Sequence, residues 1–152
     1  MIFGVFQTRV GPLNGRTLMK CLVVKIGTNA LTKEDGNINE ELLADLTCQV
    51  AKIRAKHNIL IVTSGAVGSG KSILKINRHD EVTRRQIFAV VGQVKLMSIY
   101  SKLFQKHKLH VAQMLVTKED FMHRTHYLNT KNCIESLFKE KHWIEQKVKE
   151  EV

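Results

Sequence analysis

Residues 59–72 read "ILIVTSGAVGSGKS". The apolar run suggests a buried strand, and Gly65, Gly70, Lys71 and Ser72 then satisfy G-x-x-x-x-G-K-[ST], the pattern of a P-loop whose backbone cradles phosphates. Only four positions are fixed, so composition alone produces such a match in about half a per cent of chains this long. A P-loop would also need Lys71 on the β and γ phosphates, Ser72 on magnesium, and an Asp at the end of a second strand. The next apolar run ends at Val116 without one, and Asp120 lies beyond it. An earlier strand with its own glycine turn precedes the stretch, which a P-loop at the head of its sheet would not have.

That earlier strand is "CLVVKIG", residues 21–27. A polar loop follows, and Asn39 is placed to cap a helix with Glu40 and Glu41 in its first turn and Leu42, Leu43, Leu46, Val50 and Ile53 at helical spacing. "NILIVTS" at 58–64 is the second strand, and the glycines open a short helix through Ile76. Residues 82–106 carry a long helical pattern with Val90, Val91, Val94, Met97, Tyr100, Leu103 and Phe104 on its apolar side. "LHVAQMLV" at 109–116 predicts a third strand, Thr117 a cap for "KEDFMHR", and "YLNTKNCIESLFKE" a further helix. Strands alternating with helices predict an α/β fold with a parallel sheet covered on both faces, ligands gathering at the carboxyl ends of its strands. Those ends are "KIGTNA", "TSGAVGSG" and "VTKED".

The chain has 152 residues, 43% apolar and 25% charged, which fits one folded domain without low-complexity linkers. Its net charge of +10 invites a nucleic-acid reading, but the Lys and Arg are spread along the chain and two Tyr with one Trp give no stacking platform. A nucleic-acid partner is not expected. Cys21, Cys48 and Cys133 are too far apart for a metal knuckle and read as reduced cytoplasmic thiols. No apolar run approaches the ~20 residues of a membrane span, so no membrane partner is expected. His123 and His126, three apart with Asp120 nearby, lack a fourth metal ligand and read as a solvated face. No metal site is assigned.

Lys25 stands inside an apolar strand, where an ammonium is costly without an anionic partner. Lys25 with the turn N–H groups at Gly27 and Thr28 can bind phosphate oxygens and stabilise charge in phosphoryl transfer. A second glycine turn, beside Ser64, would suit a two-substrate transferase.

Five collinear blocks, "VVKIGTNAL", "ILIVTSGAVGSG", "AVVGQVKLMSIYSKLF", "VAQMLVTKEDF" and "YLNTKNCIESL", resemble the N-terminal part of the glutamate 5-kinases of the amino acid kinase family, in order from about residue 20 to 139. The resemblance implies a three-layer α/β/α sandwich with a mainly parallel sheet, and transfer of phosphate from ATP, with Mg2+, to the side-chain carboxylate of L-glutamate in proline biosynthesis. It implies that Lys25, Gly27 and Thr28 hold ATP phosphates and that Ser64, Gly65 and Ala66 hold glutamate, Lys25 being the catalytic cation. Asn29 stands where the family often has serine.

The expected organisation is an N-terminal extension over 1–18, a partial kinase domain over 19–140 and a divergent charged tail, "HWIEQKVKEEV", within 141–152. The resemblance stops before the family's nucleotide-binding half, so the chain reads as truncated and inactive alone. Two other readings remain: a P-loop NTPase using Gly65 to Ser72, and a non-catalytic remnant that self-associates or pairs with an intact kinase subunit through its 82–106 helix.

Overall fold

The computed structural model describes residues 20–33, 37–54, 56–76 and 80–139. The expected extension and the whole of the expected tail lie outside them. Strand β1 (Lys20–Ile26) leads through a single turn of helix, α1 (Thr28–Leu31), into α2 (Glu40–Arg54) and then β2 (His57–Thr63). α3 (Ala66–Lys71) and the long α4 (Glu81–Gln105) follow, then α5 (Glu119–Met122) and α6 (Arg124–Lys139).

β1 and β2 run parallel, paired from Lys20↔His57 through Ile26↔Thr63, with α2 as the crossover. Alternation along the strands then fixes the faces. Val24, Ile26, Ile59 and Ile61 pack with Leu43 and Val50 of α2 and with Leu96, Tyr100, Leu103 and Phe104 of α4. On this same face the Thr63 and Tyr100 hydroxyls meet at 3.1 Å in a buried hydrogen bond. Leu60, on the opposite face, borders a cavity of about 220 Å3 shared with Ile134, Leu137 and Phe138 of α6. α2 and α4 thus cover one face, while α6 borders the other only around Leu60, and Val23, paired with Leu60 on that face, is 54% exposed.

One expected cap holds, and a second stands where the sequence marked none. The Leu42 N–H donates to Asn39 Oδ1 at 3.1 Å, as the sequence indicates, and Asp80 accepts from the Val82 N–H to start α4. Thr117 behaves differently from expectation. Its N–H and hydroxyl both donate to Asp120 Oδ2, and Lys118 takes the cap position of α5 without a side-chain bond.

Three further expectations are corrected. Residues 109–117 form no strand: Leu109 and Val111 pack on the core while Leu115 is 64% exposed. An apolar run specifies burial but not a ladder partner, and the only ladder among the described residues joins β1 to β2. α3 ends at Lys71, the Ser72 N–H closing it onto Gly68 O, rather than running to Ile76. Val90 and Val94 do not face the core but are 70% and 72% exposed. Phe88, Gly92, Leu96, Tyr100 and Leu103 set the inner stripe of α4 instead, with Gly92 against α3. Packed in this way, α4 is also the one helix among the described residues long and apolar enough to cross a membrane.

Candidate acceptor cleft at the strand ends

Because β1 and β2 are adjacent and parallel, both carboxyl ends emerge at one edge of the sheet. Ser64 ties them together: its N–H and its hydroxyl each donate to the Ile26 carbonyl at 3.2 Å. Gly65 then turns the chain with φ +115°, a left-handed conformation that favours glycine, and caps α3. A Cβ there would also meet Leu31 Cδ1 at 3.1 Å, so the fully buried Leu31 of α1 packs directly on the turn.

An open cleft of about 740 Å3 lies beside this turn. Ser64, Gly65 and Ala66 form one wall, α4 contributes another, and Thr32 and Lys33 close a third. The last two are held by the Thr32↔Ile38 bridge and by the Lys33 N–H, which donates to Asn37 O at 2.8 Å. The three residues expected to hold a carboxylate thus share the cleft wall. Lys25 and Gly27 lie at the neighbouring strand end outside that wall. Lys25 is exposed and takes part in no ion pair among the described residues, and a Cβ on Gly27 would meet nothing within 4 Å. A free cation beside open backbone is a fitting place for a phosphate group. Thr28 opens α1 at this end.

A metal is a different matter. No group of three or more His, Cys, Asp or Glu among the described residues is arranged to hold an ion, and Glu81 is the single carboxylate in the cleft lining. His126 Nδ1 lies 3.6 Å from Asp120, whose carboxyl is held below its usual range chiefly by the Thr117 N–H and hydroxyl. Cys21, Cys48 and Cys133 are free, and burial pushes the Cys21 thiol up to about 11, leaving it protonated near neutrality.

The Walker-like residues take unusual places for a P-loop. Residues 66–71 are helical, and the Ser69 N–H donates to Gly65 O inside that helix rather than toward a ligand. Lys71 stands at the end of α3, and the Ser72 hydroxyl donates to Ser69 O at 2.7 Å while accepting from Lys95 Nζ at 3.0 Å. A P-loop needs those amides free and the lysine at a helix start.

Sequence reasoning passed over Lys33, Arg84, Arg85 and Gln93 as site residues, yet all four line the cleft. The doublet Arg84-Arg85 was visible only as charge, and Gln93 as a polar residue within the apolar run "AVVGQVKLM".

Residues 20–144 match the amino acid kinase family. The chain is 40% identical over 122 residues to the glutamate 5-kinase of Chlorobaculum tepidum, covering 79% of this chain and 34% of that protein. It is 41% identical to that of Bacteroides thetaiotaomicron, covering 74% and 32%, and 42% identical to that of Methanococcoides burtonii, covering 76% and 32%. The 152 residues span about a third of the length of these relatives. With a parallel βαβ unit whose two glycine turns meet at one sheet edge, and a match over most of its length, the chain belongs to the amino acid kinase family.

Proposed function

We propose that this chain supplies the phosphate-binding lysine and the acceptor turn of a glutamate 5-kinase, transferring the γ-phosphoryl group of ATP to the side-chain carboxylate of L-glutamate in the cytoplasm. Lys25 with the N–H groups of Gly27 and Thr28 holds phosphate oxygens, and Ser64, Gly65 and Ala66 hold the carboxylate. The observation that carries the proposal is the pair of hydrogen bonds that the Ser64 N–H and hydroxyl donate to the Ile26 carbonyl oxygen, which fixes one glycine turn against the other. Two anionic reactants bound at adjacent turns need little more than positioning and charge neutralisation for an oxygen of the carboxylate to displace ADP from phosphorus. A carboxylate arriving at Ser64 draws the hydroxyl proton away from Ile26 O, so the serine releases one acceptor as it takes another.

The relatives named glutamate 5-kinase support the choice of reaction, at about 40% identity. The residues present here provide the strand-end edge, and no magnesium ligand is assigned among them. By itself the 152-residue chain is expected to bind L-glutamate without turning it over. The test is a titration of 15N-labelled protein with L-glutamate: the amides of Gly65 and Ala66 shift, and Ser64→Ala weakens the effect. Shifts confined to other parts of the chain would remove the proposal.

The exposed valines of α4 favour a second, compatible role. Val82, Val90 and Val94 leave an apolar stripe open along one side of the helix, suited to association with a second copy or with an intact kinase subunit.

A further inference from the structure

The α4 wall of the cleft carries one stripe at four-residue spacing, Glu81, Arg85, Ala89 and Gln93, with Arg84 beside it. Gln93 is 9% exposed, and neither its Nε2 nor its Oε1 finds a hydrogen-bond partner among the described residues. A buried amide with both ends unsatisfied destabilises the free protein, and such groups are ordinarily paired. Here the amide borders a cleft next to the Ser64 turn. Toward the start of the helix, Arg84 and Arg85 stand with Lys71 of α3, none of them in an ion pair among the described residues. Eight residues of helix separate Arg85 from Gln93, about 12 Å between their Cα atoms at 1.5 Å per residue. Side chains of these lengths narrow that span to the size of a short ligand charged at both ends.

We infer that the α4 wall is a dicarboxylate reader: Gln93 engages the ligand end seated on the Ser64–Gly65 turn, and Arg84 and Arg85 hold a carboxylate at the other end. For a ligand that is L-glutamate, the side-chain carboxylate lies at the turn and the α-carboxylate at the arginines. That assignment rests on the proposed function; the two-ended subsite does not. Arginine suits the task because its planar fork donates two parallel hydrogen bonds to a carboxylate. Gln93 is thereby a specificity residue whose cost in the free protein is relieved on binding.

The test is calorimetric titration of the whole chain with L-glutamate and with 4-aminobutyrate, which is glutamate without its α-carboxylate, and with glutarate as a dicarboxylate lacking the amine. Wild-type protein is expected to bind L-glutamate at least about tenfold more tightly than 4-aminobutyrate, the scale of a charge-assisted pair. The Arg84→Ala/Arg85→Ala double variant erases that preference while leaving 4-aminobutyrate binding as it was. Gln93→Met weakens both ligands and raises the melting temperature of the free chain, because it removes the unpaired amide. Retention of the preference in the arginine variant overturns the inference, as does wild-type affinity in Gln93→Met or a result in which none of the three compounds binds. If glutarate binds in an arginine-dependent way and L-glutamate does not, the subsite stands and the glutamate reading falls. If L-glutamate binds wild type and every variant alike, the subsite falls and the glutamate reading stands.

Discussion

Ser64 donates two hydrogen bonds to the same acceptor, the carbonyl oxygen of Ile26, each at 3.2 Å. The pair joins the last residue of β1 to the first residue beyond β2, so the Ser64–Gly65 turn is built on the sheet ladder rather than on a free loop. We predict that Ser64→Ala, which keeps the backbone bond and loses the hydroxyl, lowers stability by only about 0.5–1.5 kcal/mol while reducing L-glutamate binding. Urea unfolding beside a binding titration separates the two effects. Unchanged ligand affinity would place the hydroxyl in a purely structural role.

The approach of α3 to α4 depends on glycine. A Cβ on Gly92 would sit 1.8 Å from Ala66 O, and one on Gly70 would sit 1.9 Å from Phe88 O, both backbone atoms that cannot step aside. Gly92→Ala should therefore force the helices apart and cost about 3 kcal/mol or more, at the upper end of overpacking effects. The cleft should be disturbed with them, since Ala66 is part of its wall. Chemical denaturation measures this directly, and a change below about 0.5 kcal/mol would contradict the packing described.

The burial of Tyr100 gives the fold an alkaline limit. Burial raises the Tyr100 hydroxyl above its ordinary value of 10.0, the Thr63 bond opposing that shift. The folded chain therefore keeps this proton where the unfolded chain gives it up, and stability from this group falls as pH rises above about 10. Below that value the group adds no slope. Tyr100→Phe should flatten the alkaline part of the stability profile relative to wild type, and identical slopes would show that Tyr100 does not contribute.

Val90 and Val94 offer the next test. If the stripe they form mediates association, sedimentation of the wild-type chain will show dimers or larger species, and Val90→Lys with Val94→Lys will shift it toward monomer without lowering its melting temperature by more than about 2 °C. A wild-type chain that is monomeric at high concentration would end that role for α4.

The sequence makes the local signals legible. Asn39 with Glu40 and Glu41 marks the start of α2, and the strand signals around Lys25 and Ile61 mark the parallel pair, because caps and apolar strand runs are written in neighbouring residues, although β1 is more exposed than its apolar run suggests. Signals that depend on distant partners are harder to read. Residues 109–116 are as apolar as β2 yet lack a ladder, and Val90 and Val94 match a helical repeat whose inner stripe is chosen by Gly92 fitting against α3. The same limit hides Gln93. In the sequence it interrupts an apolar run, and only the fold brings it to the cleft with two arginines from an earlier turn of its helix.

The most direct measurement is a titration of the 15N-labelled chain with ATP, followed amide by amide, in wild type, Lys25→Ala and Lys71→Ala. We predict that the Gly27 and Thr28 amides move, that Lys25→Ala abolishes the movement, and that Lys71→Ala leaves these two amides responding. Movement instead at Ser69, Gly70 and Ser72 that disappears with Lys71→Ala would mean that "GAVGSGKS" binds phosphate as a P-loop, and would contradict the placement of the phosphate site beside Lys25.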